Sequence, residues 1–226
     1  MKLAIDSSQS SGSIALAEDG KLLYSSYFDL RVTHSETLMP GIDHALKLSG
    51  KHPEALTELF LCVGPGSFTG LRIGLATAKG IAFALKIPVY TFDSLQLAAL
   101  SCRIANRNIL SVIDARMKEV YVALYDPDLR PIIPPRVISP EEIRAWDLKG
   151  AIVTGSGAGI VRKLFQDASL SLDFADDFYH IPKADALFSL AELLKPKCYE
   201  GDALAELEPF YLRESTAQIK KNQAQK

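Results

Sequence analysis

Short apolar runs broken by polar, glycine-bearing turns alternate along this chain with longer stretches of helical periodicity. Leu3-Ala4-Ile5, Ser13 to Ala17 and Leu22 to Phe28 are apolar or β-prone runs. They are separated by the polar stretch Asp6–Gly12 and by the tight turn Glu18-Asp19-Gly20-Lys21, which predicts three antiparallel strands. Leu38, Ile42, Ala45 and Leu46 then fall at helical spacing through Leu48, with Thr33 or Ser35 as cap and Gly50 as stop. Pro40 is expected to kink this helix. Leu59-Phe60-Leu61-Cys62-Val63 has the length and content of a buried strand, and Gly64-Pro65-Gly66 demands a turn after it.

The helix predicted next, capped by Ser67 or Thr69 and running to Leu85, dominates the pattern. Gly70, Gly74, Ala78 and Ala82 recur every four residues and form a stripe without large side chains. Ile73, Leu75, Ile81, Phe83 and Leu85 make the other faces apolar too. Such a helix is buried on more than one side, as a core helix or one shared with a partner.

Ile87 to Thr91 reads as a strand, and Asp93 or Ser94 caps a helix through Cys102. Arg103–Asn108 is a polar boundary. Beyond it the opening is echoed: strand Ile109 to Asp114, a turn at Ala115–Glu119, strand Val120 to Tyr125, another turn, and a Pro-containing edge strand from Pro131 to Val137. Ser139-Pro140-Glu141-Glu142 starts a helix, and Ala151–Thr154 is a strand whose turn, Gly155 to Gly159, leads into a helix through Leu164. Ala184 to Leu194 is an amphipathic helix stopped by Pro196, and Pro209 to Arg213 is an aromatic docking segment. The order of elements predicts an α/β fold with mixed sheets.

With 226 residues, 48% of them hydrophobic, the chain can fill a sizeable core. A net charge of −2 supplies no basic field for direct contact with nucleic acid. Cys62, Cys102 and Cys198 lie far apart and form no zinc spacing, which fits a reducing compartment. No signal pattern precedes the first strand, and the long apolar helix, taken as Gly70–Leu85, is read as too short and too charged to span a bilayer. A cytoplasmic protein without membrane contact is the expectation. GPGSFTG could hold an anion at a helix start, but it lacks the ending of a nucleotide P-loop.

Several of these stretches together resemble the TsaB (YeaZ) family, partner proteins in synthesis of threonylcarbamoyladenosine on tRNA. They are Ala4-Ile5-Asp6-Ser7-Ser8, His34-Ser35-Glu36 with Leu38-Met39-Pro40, Gly64 to Gly74, Ile87-Pro88-Val89, Asp114-Ala115-Arg116 with Glu119-Val120-Tyr121, and Pro209 with Tyr211-Leu212-Arg213. The resemblance implies two actin-like (ribonuclease H-like) lobes, here 1–104 and 105–213, followed by a flexible tail, 214–226. It implies a non-catalytic scaffold that pairs with the catalytic subunit TsaD, is joined by the ATPase TsaE, forms a homodimer when alone, and meets tRNA only through the complex. The pairing surface it implies carries His34, Leu38, Ile42, Gly70, Arg72, Ile73, Gly74, Thr77, Ala78 and Ala82. No cofactor is implied for the chain itself, with ATP or ADP and magnesium confined to the partner complex.

Two other readings are open. In an actin-like ATP-using enzyme acting on its own, Asp6 and Asp114 would hold magnesium, Ser8 would contact phosphate, and Gly155 and Gly157 would touch adenosine. A metalloprotease needs clustered ligands, but neither HxxxH nor HExxH occurs among the four histidines.

Overall fold

A computed structural model describes residues 1–29, 34–166, 172–176 and 183–213; the side chain of His34 and the tail expected at 214–226 lie outside them. The first three strands, β1 (Lys2–Asp6), β2 (Gly12–Glu18) and β3 (Lys21–Phe28), pair antiparallel as expected. Helix α1 (His34–Leu48) runs on through Pro40. Strand β4 (Glu58–Gly64) then lies parallel to β1. Helix α2 (Phe68–Leu85) follows, and strand β5 (Val89–Asp93) lies parallel to β4.

The same path is walked twice. Strands β6 (Ile109–Arg116), β7 (Glu119–Tyr125) and β8 (Pro131–Ile138) pair antiparallel in order. Strand β9 (Ile152–Thr154) is parallel to β6, and β10 (Asp173–Phe174) is parallel to β9. The internal echo of the sequence is therefore a repeat of topology, and the chain is an α/β protein with two mixed sheets. The repeat has one exception. Strand β11 (Lys197–Tyr199), for which the sequence pattern had no signal, returns to pair antiparallel with β5. Residues expected in the second lobe thus complete the first sheet, and Leu204 and Leu207 join the first lobe's core.

Helices α1 and α2 cover one face of the first sheet, where Leu3, Ile5, Ile14, Leu16, Leu59 and Leu61 are buried. Helices α3 (Ser94–Leu100) and α5 (Ala186–Leu193) belong to the opposite side, in a core shared by Phe60 and Phe92 of the first sheet with Ile113, Ala123 and Tyr125 of the second. The two lobes thus share one hydrophobic interior. Helix α4 (Ala158–Leu164) and the turn Pro140–Ala145 cover the outer face of the second sheet.

Helix α2 sits unusually close to its sheet. Ser67 caps it, its Oγ accepting from the Gly70 N–H at 3.2 Å. The Ser7 hydroxyl donates to the Gly70 carbonyl at 2.9 Å. A Cβ added at Gly74 would stand 2.2 Å from Ser7 Oγ, which is wholly buried and committed to that bond. Gly70, Gly74, Ala78 and Ala82 are all buried in this seam. By length and composition α2, at 18 residues, is apolar enough to cross a membrane, contrary to the sequence expectation; in the fold its small-residue stripe lies on the sheet.

Two glycines of α2 should therefore respond in opposite directions. Gly74→Ala forces Ser7 aside and should lower stability by about 1–3 kcal/mol. Gly80 has open space where a Cβ would stand, so Gly80→Ala should raise stability by about 1 kcal/mol through helix propensity. Urea unfolding followed by circular dichroism checks both.

Candidate functional site

Between the lobes opens a cleft of about 700 Å³. The β1–β2 turn contributes Ser8, Gln9 and Ser10, and the start of α2 contributes Gly66, Ser67 and Phe68. The second lobe contributes Ile113 to Arg116 at the end of β6, with Tyr121 and Ser156. Tyr211 and Arg213 complete the lining from the C-terminal segment.

Local chemistry fixes each wall. The Ser8 N–H donates to Asp6 Oδ1 at 2.9 Å, bending the chain out of β1. The Ser67 N–H donates to the Ser8 carbonyl at 2.6 Å and ties this turn to the start of α2. Across the cleft, Arg116, Met117 and Lys118 hold φ of 62°, 52° and 63°, a left-handed run without glycine. Such backbone is costly for residues with a side chain, and here it sits at the mouth of the cleft. The Arg116 N–H donates to Asp114 Oδ1 at 2.8 Å, and its guanidinium lies 3.4 Å from Oδ2.

The C-terminal segment straps the two lobes together. The Phe210 N–H donates to the Val63 carbonyl at 2.8 Å. The Tyr211 ring stacks on Phe68 at 5.1 Å, and its hydroxyl accepts from Arg72 Nε at 3.1 Å. Leu212 packs against the shared core, and Arg213 donates to Glu119 of the second lobe at 2.8 Å.

The residues expected to hold a magnesium nucleotide divide. Ser8 and Asp114 line the cleft. Asp6 is buried beneath it, bound to the Ser8 amide. Gly155 and Gly157 flank the lining residue Ser156, but both serve close packing. Gly155 has φ +94°, and a Cβ on it would stand 2.2 Å from the Val112 carbonyl oxygen, while one on Gly157 would meet the Val112 side chain. Asp114 accepts the Arg116 N–H on one oxygen and faces the exposed Arg116 guanidinium with the other. Among the described residues no group of three or more His, Cys, Asp or Glu is arranged for a metal ion. Nor does Cys62 offer a nucleophile: burial, with Asp6 nearby, pushes its thiol well above the ordinary range.

The residues expected on a pairing surface need correction. Leu38 and Ile42 of α1 are buried against the first sheet, as are Gly70, Gly74, Ala78 and Ala82 of α2. They have no surface to lend to a partner. Arg72 is exposed, and Ile73 and Thr77 are half-buried. The outward face of α2 instead carries a second small-residue stripe, Ala76, Gly80 and Ala84, all exposed, with Phe83 beside it at 81% exposure. Helix α1, packed alongside, exposes Met39 and Leu48. The sequence contains this stripe too, at the same four-residue spacing, but not which of the two meets the sheet.

Asp93 joins the lobes at a half-buried point. It caps α3 by accepting from the Leu95 N–H at 2.6 Å, close to the buried Tyr125 hydroxyl. Desolvation raises its carboxyl to about 7, against the lowering effect of the Leu95 and Gln96 amides. A carboxyl raised above its unfolded value stabilises the fold while protonated, and this is lost as pH rises from about 4 through 7. Asp93→Asn keeps an acceptor for the cap, so the variant should lose this contribution to the fall in stability between pH 4 and 7. Unfolding midpoints across that range check it.

Comparison with known proteins bears on this geometry. The family model described as TsaD, tRNA N6-adenosine threonylcarbamoyltransferase, matches residues 30–221. The chain is 31% identical to the tRNA threonylcarbamoyladenosine biosynthesis protein TsaB of Haemophilus influenzae, over 93% of this chain and 92% of that one. It is also 31% identical to TsaB of Escherichia coli, over 95% of each. The structure of YeaZ from Pseudomonas aeruginosa superposes with a TM-score of 0.79 at 28% identity, covering 93% of this chain and 99% of that one.

Proposed function

Because this chain belongs to the TsaB family of tRNA threonylcarbamoyladenosine biosynthesis proteins, we propose that it acts there as a non-catalytic subunit that pairs with TsaD. The observation that carries this reading is the outward face of α2. Phe83 is 81% exposed, and Ala76, Gly80 and Ala84 form a smooth exposed stripe beside it. Contiguous apolar surface of this kind marks an interaction site. A helix face without bulk lets a second backbone approach closely, and a large aromatic next to it supplies an anchor.

The sequence holds no HxxxH pair, the ligand motif the resemblance assigns to the catalytic subunit. Among the described residues, the two aspartates expected on magnesium, Asp6 and Asp114, each accept a backbone N–H. These features favour a scaffold over an ATP-using enzyme acting alone. In this reading the same α2 face joins two copies of the chain when TsaD is absent, and TsaE joins the paired assembly. tRNA is met through the complex, since a net charge of −2 gives no field for phosphate. The place of action is the cytoplasm.

Light scattering on a sizing column, with the chain mixed with its cognate TsaD, tests the proposal. A one-to-one complex is expected. Phe83→Glu and Gly80→Leu should each weaken it at least about tenfold, because both alter exposed positions and a side chain at Gly80 meets nothing in the fold. Unchanged pairing in both variants would overturn the assignment of this face.

A further inference from the structure

Arg72 stands where the outward face of α2 meets the strap across the cleft. It is exposed and shares the side of α2 that carries Ala76 and Phe83. Its guanidinium lies 3.7 Å from the centroid of the Phe68 ring, and its Nε donates to the Tyr211 hydroxyl at 3.1 Å. Among the described residues no carboxylate forms a salt bridge with it. Guanidinium groups match carboxylates in a bidentate fork, and a phenol hydroxyl satisfies one of five donors. The stacked ring limits the rotamer freedom of the side chain, so a further partner costs less ordering entropy. The group is thus presented at the edge of an apolar docking face, and Tyr211 is its hydrogen-bond partner among the described residues.

Tyr211 does more than satisfy Arg72. Its ring stacks on Phe68 and lines the cleft, and it is flanked by the two bonds that fasten the strap, Phe210 N–H to Val63 on the first lobe and Arg213 to Glu119 on the second. A pull on the Arg72 guanidinium is therefore a pull on the strap.

We propose that Arg72 captures a carboxylate of the protein docked on α2, and that this capture loosens the strap walling the inter-lobe cleft, so that pairing and cleft opening are coupled. The inference rests on the docking reading of α2 and adds the chemistry of the partner and its consequence. Coupling of this kind is reciprocal: with the guanidinium in place, breaking its bond to Tyr211 must favour pairing by the same factor by which pairing loosens the strap.

Two measurements test it. Pairing of the full chain with TsaD, titrated by light scattering at several salt concentrations, should weaken about tenfold or more in Arg72→Ala and lose part of its salt dependence. Tyr211→Phe, which frees the guanidinium but leaves the ring stack, should pair at least as well as wild type. Pairing of Arg72→Ala equal to wild type would overturn the capture. Hydrogen exchange of the segment 207–213 reads the strap directly. The Phe210 amide should exchange faster by about tenfold or more in the complex, and faster in free Arg72→Ala than in free wild type. Equal exchange with and without TsaD would overturn the coupling. Because the free-chain comparison needs no partner, a failure of docking and a failure of the strap are distinguishable.

Discussion

The first lobe depends on the contact between the β1–β2 turn and the start of α2. Ser7 and Ser8 fill the space that side chains at Gly74 and Gly66 would need; a Cβ at Gly66 would lie only 1.9 Å from the Ser8 carbonyl oxygen. In return, the Ser67 amide is satisfied by that carbonyl and the Gly70 carbonyl by the Ser7 hydroxyl. Buried polar groups must be paired, and here turn and helix pair each other. The helix is thereby held against β4 with one rotation about its own axis. Everything the molecule presents follows from that rotation: which stripe is spent inside, which faces outward, and where Phe68 and Arg72 stand.

The second lobe repeats the topology but not the chemistry. Its first hairpin also ends in an aspartate whose carboxylate accepts a backbone N–H two residues on, as Asp6 does for Ser8 and Asp114 for Arg116. The glycine turn after β9 packs on Val112 much as the α2 start packs on Ser8. What differs is the arginine. Arg116 contacts both oxygens of Asp114, one through its backbone N–H and the other through its exposed guanidinium.

The strap from Phe210 to Arg213 gives the cleft a wall that neither lobe supplies alone. It touches the first lobe through a backbone hydrogen bond and a ring stack, and the second through an ion pair that is partly shielded from solvent. Exposed ion pairs contribute little, and in a shielded one the loss of either partner leaves an uncompensated charge. The position of Asp93 is of the same kind: a desolvated carboxyl at the junction of α3 with the second sheet, set by packing from both lobes.

What the sequence determined by itself was local. Period-two and period-3.6 patterning located nearly every strand and helix, and of the two caps the sequence offered for α2, Ser67 and Thr69, the structure uses Ser67. The repeated strand–Asp–turn announced two similar lobes because hairpin chemistry is written in adjacent residues. Tertiary structure decided the rest. Two stripes of small residues run along α2 with the same spacing, and periodicity is blind to which of them meets a sheet; Ser7, more than sixty residues away, made the choice. Strand β11 crosses back to the first sheet because β5 offers it an edge, not because Lys197–Tyr199 has a strong strand pattern. Phe68, Tyr121, Tyr211 and Arg213 line one cleft although they are scattered over 146 positions of the chain. Such assemblies are made by the packing of distant elements, and no window of sequence contains them.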